Sequence, residues 1–480
     1  MRYILWCSWL VSVFAFGQTE YDFSRHLRLP EGLGSARGAA MPGAIVVMGG
    51  DLQAAKVNPA GLGLYNRTVL AGTFGLYGTT LNSPAIHDSA RGPRPEFSDV
   101  GLVIPLGAPI GPDARRGPWI VAVTWHKSVH HLTGAEIPTN GSMIARWKEI
   151  MDGYAPSAFY RSSPFALSLE EGLWTISDST LWKYNPVLSP DSSQGSTYRF
   201  RGNQSRSVLD FAFGRQFAPW LFAGATLQIP FDIARNQETS RETFRNGGMS
   251  PKAIEYEEYT ESKGSGLRMG AGLIVRPTCF LRIGVSYYSP AWLHVKDSIS
   301  AVLRTGTQPP TGDFLVDTPV NHAAALWDYH VFLPSEFRLS VGLIDGGWGA
   351  VTAGLMTTRY GGIYFKAGDY PDPIFDTLNQ QAAAMAQRHY QFSLSGELKQ
   401  GPWRLRGGTR WDAQWQHWTQ AGIGIGFHTP RWYADAAAYL TWQPQNRFTP
   451  FEGWNDGTLF SAIEGSRTTQ GFSLTAGLRW

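Results

Sequence analysis

The chain has 480 residues, with 41 Lys+Arg against 38 Asp+Glu and a formal net charge of +3. Charged residues are only 16% beside 54 Gly, 30 Pro and 13% aromatics, which excludes an acidic disordered chain and a coiled coil. A mean hydropathy of −0.20 is too low for a bundle of membrane helices, and the near-neutral balance leaves no basic footprint for nucleic acid.

Arg2 is followed by an apolar run from Tyr3 to Phe16, then Gly17 and the polar Gln18, Thr19 and Glu20. A short cationic start, a short apolar stretch and small residues before a polar one describe a secretory signal peptide, expected over 1–17. The run is too short for a membrane anchor, which takes about 20 apolar residues. Cys7 leaves with this peptide and only Cys279 stays, so the exported chain is expected to hold no internal disulfide.

Residues 18–68 do not alternate. Gly32 to Ala40 is a run of small residues, and Gly49-Gly50-Asp51 leads to Asn58-Pro59-Ala60-Gly61. Asp51 can cap one helical turn through Ala55, and Asn58-Pro59 ends it, because the residue before proline disfavours helix. Some fifty residues of this kind cannot build a core of their own. They can be ordered inside a lumen, where small side chains let backbones approach, so the segment is expected to be a hatch.

From residue 69 onward one pattern repeats: about ten residues alternating apolar and polar, then a turn. Phe472, Leu474, Ala476, Leu478 and Trp480 share one face, opposite Ser473, Thr475, Gly477 and Arg479. Ile423 and Ile425 likewise alternate with Gly422, Gly424 and Gly426. Fourteen such segments run over 69–81, 96–106, 118–128, 206–217, 220–230, 266–276, 280–289, 335–344, 347–357, 388–398, 403–412, 419–428, 432–442 and 470–480. Three features favour a transmembrane antiparallel β-barrel over a soluble sandwich. The strands have the length that crosses a bilayer at a tilt; aromatics such as Trp403, Trp411, Trp432 and Trp442 mark strand ends; and very short turns alternate with long connections. The long connections, over 131–205, 231–266, 290–334, 358–387 and 443–469, are expected to be extracellular loops.

The run 32–40, the Gly50-Asp51 step and Asn58-Pro59-Ala60 resemble the start of the long-chain fatty-acid transporter family, the FadL/TodX-type outer-membrane proteins. Phe97 to Leu106 is similar to that family's second strand. The resemblance implies a fourteen-strand barrel in the cell outer membrane and an N-terminal lumenal hatch carrying Gly34, Arg37, Gly38, Gly50, Asp51, Asn58, Pro59 and Ala60. It also implies passive, gated uptake of a hydrophobic small molecule such as a fatty acid. The strand ending in Trp480 is expected to be read by the barrel assembly machinery, with the lipid bilayer and lipopolysaccharide as surroundings and a monomer as the working unit.

Two constellations are candidates for ligand contact. Met143 to Met151 reads as a short amphipathic helix, and Met143, Ile144, Trp147, Phe159 and Phe165 form the default capture site; the same residues serve equally well to pack their loop shut. Arg338, Arg404, Arg406 and Arg410 fall on the inward face and could hold an anion bidentately, against the weightier reading that they pair with Glu336, Glu397, Asp210, Asp412 and Asp435. Enzyme chemistry finds no support: there is no His-Glu-x-x-His, Walker loop or Gly-x-Ser-x-Gly, and Gly422-Ile-Gly-Ile-Gly426 lies within a strand with no helix after it. His130-His131 reads as solvated loop, and no metal or cofactor is expected. The alternative function is a barrel that acts as a scaffold or docking module for protein secretion and assembly.

Overall fold

A computed structural model describes residues 34–82, 94–107, 116–133, 137–139, 142–158, 164–245, 253–306, 320–368, 374–384, 388–412, 419–448 and 463–480. The expected signal peptide and residues 18–33 lie outside the described residues.

Fourteen antiparallel strands form the wall: β1 (Val69–Asn82), β2 (Arg94–Leu106), β3 (Trp119–Thr133), β7 (Ser193–Ala218), β8 (Leu221–Phe244), β9 (Ala253–Val275), β10 (Leu281–Tyr288), β13 (Glu336–Asp345), β14 (Gly349–Arg359), β16 (Arg388–Gln400), β17 (Trp403–Asp412), β18 (Thr419–His428), β19 (Trp432–Phe448) and β20 (Ile463–Arg479). β20 pairs back onto β1 over its whole length, from Val69↔Arg479 to Asn82↔Ser466, so the ring closes. Closure is required for a sheet surrounded by hydrocarbon, where each unpaired backbone group costs several kcal/mol. Every one of the fourteen expected segments is a wall strand.

The outer surface explains the alternation. Leu70, Phe74, Phe211, Val341, Leu405, Ile423, Leu474 and Leu478 point outward and are exposed to whatever surrounds the barrel. Trp119, Trp220, Trp348, Trp403, Trp432 and Trp480 edge this band at the end with short turns, and Trp292, Trp411 and Trp442 edge it at the other. Such rings prefer a membrane–water boundary. Inward positions carry Gly, Ser, Thr and paired charges.

Of the expected long loops, 231–266 and 290–334 are largely β-structure among the described residues. β7, β8 and β9 extend far beyond the apolar band, and residues 290–334 contain a hairpin, β11 (Ala291–Gly306) with β12 (Val320–Leu333), which adds to the upper part of β9. Small strands β4 (Ile137–Thr139), β5 (Trp174–Asp178), β6 (Lys183–Pro186) and β15 (Tyr364–Ala367) complete this end. The middle of the β8 extension escapes a reading by apolar alternation because both of its faces are polar, as in Arg235, Gln237 and Arg241 outside with Asn236, Glu238 and Ser240 inside.

Candidate functional site: the lumen and what fills it

Three short helices occupy the lumen at the short-turn end: α1 (Ala36–Ala40), α2 (Ile45–Met48) and α3 (Ala54–Val57), followed by a 3₁₀ turn, Pro59–Leu64. Helices this short do not persist alone, so side-chain staples and the wall must hold them. The Ser35 hydroxyl accepts from the Gly38 amide at 3.1 Å and donates to the Asp51 carboxylate at 2.8 Å. Asp51 also accepts from the Gln53 amide at 2.9 Å, which ties the start of α1 to the turn before α3. Gly50 has φ +64°, a conformation that favours glycine. Side chains at Gly34 or Gly38 would overlap Gln53. Arg37 donates to the Gly49 carbonyl at 3.1 Å and lies 3.5 Å from the Glu397 carboxylate of the wall.

Asn58 is the deepest staple. Fully buried, it donates to the carbonyls of Val46 (2.6 Å) and of Leu273 in β9 (3.3 Å), and accepts from the Ala60 amide at 3.1 Å. Pro59 opens the 3₁₀ turn with its carbonyl against β7 and β8: a Cβ on Gly214 or Gly224 would stand 2.6 or 2.5 Å from it. Ala60 packs against Phe222 and Ile274. A side chain on Gly272 would overlap Asn58, one on Gly284 would overlap Val46, and one on Gly422 would overlap Ala39. The backbone of the lumenal segment therefore rests on a glycine-lined wall; of the eight expected motif residues, Arg37, Asn58, Pro59 and Ala60 reach that wall, Gly34, Gly38 and Asp51 contact other residues of the segment, and Gly50 is exposed. Of the inward glycines of β18, which read as no nucleotide loop, Gly422 and Gly424 are part of the seat, while Gly426 faces Asp435 and Arg406 of the wall.

The four candidate arginines occupy three different settings. Arg406, with its side chain 1% exposed, donates to Glu397 at 2.7 Å and to Asp435 at 2.6 Å, and Asp435 also meets His428 at 2.9 Å. Arg404 donates to the carbonyls of Gly401 and Trp403 at the rim, each at 2.7 Å. Arg338 donates to Glu336 at 2.6 Å and stacks on Tyr288, and Arg410 donates to Gln420 at 3.1 Å. Of the four, only Arg338 and Arg410 meet, at a cavity of about 60 Å³ between the wall and Gly38, Ile45 and Val46. That volume holds a few water molecules and no acyl chain.

Helix α4 (Met143–Met151) has the bounds expected for it, and Ser142 caps it by accepting from the Ala145 amide at 3.2 Å. Met143, Ile144 and Trp147 are 0% exposed and Phe165, on α5 (Pro164–Glu170), is 1% exposed. They share a core with Tyr198, Phe200, Phe244 and Tyr256, in which Trp147 meets Phe165 and Tyr256 edge to face at 6.4 and 6.2 Å. In this conformation they pack their loop shut. Phe159 lies outside the described residues. A further helix in the described loops is α6 (Ile374–Ala384).

Sequence reasoning missed a buried cluster above the lumenal segment. His126 on β3 stands 3.2 Å from Asp99 on β2 and 3.0 Å from Asp210 on β7, and Asp210 also accepts from Thr124 (3.1 Å) and Gln228 (2.7 Å). The β2–β3 ladder has its last pair at Asp99↔His126 although both strands continue, and beyond it a Lys127–Glu96 ion pair at 3.4 Å bridges the two strands. Residues so far apart in the chain leave no local signal; only strand register brings them together.

No family model matches this chain, and no curated relative matches it. Solved structures do. A FadL homologue of Pseudomonas aeruginosa matches with a TM-score of 0.50 at 12% identity, over 93% of this chain and 98% of its own. The CymD monoaromatic hydrocarbon channel matches with 0.51 at 11% identity, over 94% and 98%. The toluene transporter TodX of P. putida matches with 0.52 at 10% identity, over 93% and 98%. At these identities the likeness concerns architecture, and end to end this chain has the barrel fold of those channel structures.

Proposed function

We propose that the protein is a passive, gated outer-membrane channel for hydrophobic small molecules, a fatty acid or an apolar hydrocarbon, in which residues 34–64 act as the hatch. The observation that carries this is the seat itself: a small-residue segment pressed onto glycines of a wall whose outside is apolar and aromatic. A general pore would gain nothing from such a stopper. In this reading the short-turn end faces the periplasm, the extended end faces the outside, and export follows the N-terminal signal. In the same reading the strand ending in Trp480, which is exposed and bonded through its backbone to Thr68, is the segment an assembly machinery would recognise.

The test is reconstitution. Vesicles containing the protein are expected to take up a fluorescent fatty acid or an aromatic hydrocarbon faster than protein-free vesicles. Deleting residues 20–60 is expected to leave a foldable barrel that passes sugars in a liposome swelling assay. Equal uptake with and without protein would remove the transport reading, and unchanged sugar permeability after the deletion would remove the hatch.

A further inference from the structure

The two ends of the barrel treat their cations differently. At the extended end arginines are matched by carboxylates: Arg206 with Asp232 at 2.6 Å, Arg235 with Glu261 at 2.7 Å, Arg268 with Glu336 at 2.8 Å and Arg304 with Glu257 at 2.6 Å. At the rim of the short-turn end, beyond the Arg406–Glu397–Asp435 pairs, the partners are backbone carbonyls. Arg67 donates to Pro430 at 2.8 Å, Arg282 to Met48 at 3.4 Å, Arg404 to Gly401 and Trp403, and Lys399 to Gly346. Arg479 donates to the Thr429 carbonyl at 3.4 Å and lies over Tyr433, and Arg276 lies over Phe222. Arg431 is exposed in its turn. Among the described residues of these turns, Asp345 is the one acidic side chain. A carbonyl satisfies an N–H but leaves the cation's charge in place, so this mouth is strongly positive.

Strand parity says where the charge points. Leu405 and Leu478 face outward, so their neighbours Arg404 and Arg479 face the mouth; Arg282 touches the lumenal segment and Arg276 covers the inward Phe222. The ring thus opens on water below the hatch, away from lipid headgroups. A solute leaving this mouth is apolar and gains nothing from water, so it needs an apolar pocket on a soluble acceptor. A positive rim steers an anionic surface toward it and fixes its register.

We propose that this basic ring is a docking surface for an acidic soluble periplasmic protein that accepts the cargo. The proposal rests on the channel reading above. Its probe is a fluorescent polyglutamate peptide, titrated by anisotropy against the full chain in phosphatidylcholine nanodiscs. Saturable binding is expected, weakened about tenfold or more when salt rises from about 50 to about 300 mM. The R67E/R431E variant should lose binding by a similar factor, R67K/R431K should keep it, and K263E/K296E at the other end should leave it unchanged. No binding at low salt, or equal binding by R67E/R431E, overturns the proposal. So does full displacement of the probe by dodecanoate or by phosphatidylglycerol in the disc, which would make the ring a site for a free anion or a lipid. Solute uptake by the same preparations into vesicles separates the two readings: uptake without probe binding overturns docking and leaves the channel standing, and absence of uptake overturns the channel and, with it, the cargo handover.

Discussion

The lumenal segment, here proposed as the hatch, and the extended-end cap are both closed cores, built by opposite means. The hatch uses alanine, glycine and valine, packs backbone against backbone, and relies on Ser35, Asp51 and Asn58 to fasten turns that cannot stand alone. The cap uses Trp147, Phe165, Tyr198 and Tyr256, large rings that lock each other through area and geometry. Small-residue packing with polar staples buries less apolar area per residue, so it separates at lower cost than an aromatic core. The contrast assigns motion to the hatch and rigidity to the cap.

Four substitutions and a pH series can break or sharpen that contrast, read by hydrogen exchange of residues 34–64 against residues 143–200, by sugar leakage for Gly422→Val and by melting for the pH series. Trp147→Ala is expected to cost the cap about 3–5 kcal/mol and to leave hatch protection unchanged. Loss of protection in both regions would mean that they form one cooperative unit. Asn58→Ala strands the Val46 carbonyl and the Ala60 amide, at about 1–3 kcal/mol for each buried group, and should open the hatch alone. Gly422→Val pushes a side chain into the Ala39 carbonyl, at about 1–3 kcal/mol, and should raise sugar leakage toward that of the hatch deletion. Ser35→Ala removes a cap and one arm of the Asp51 staple, for about 1 kcal/mol.

The smallest effect comes from Glu242, in the extension of β8 beyond the apolar band, which accepts from the Ile144 amide at 3.1 Å. Burial raises its pKa above the usual carboxylate value, against the hydrogen bonds that lower it. A raised acid contributes stability that is complete below the unfolded pKa and is lost as pH rises through the folded one. The cap is therefore expected to melt higher at mildly acidic than at alkaline pH, and Glu242→Gln to flatten the dependence. An unchanged slope in that variant would assign the pH effect to another group.

Much of the barrel was legible because lipid imposes a rule that local sequence obeys: one apolar face, period two, aromatic ends. All fourteen wall strands follow it; α4 was legible by a different local signal, its helical apolar spacing after Ser142. The rule stops where the lipid stops. Arg235 to Ser240 alternate only between polar types, so the middle of the β8 extension reads as loop. The seat of the hatch was half visible: Gly422, Gly424 and Gly426 stood out as a pattern, but that Ala39 and Ala40 fill the space above the first two depends on contacts between opposite ends of the chain. The Asp99–His126–Asp210 cluster was invisible for the same reason.

One contact sets an order of events. The Ala36 amide donates to the Thr475 hydroxyl at 2.7 Å, and that hydroxyl also meets Thr73 across the β1–β20 seam at 2.8 Å. Joining residues so distant along the polypeptide is entropically the slowest step in making the cylinder. The Ala36 anchor therefore exists only once β20 has closed on β1, so the lumenal segment depends for this bond on the completed ring.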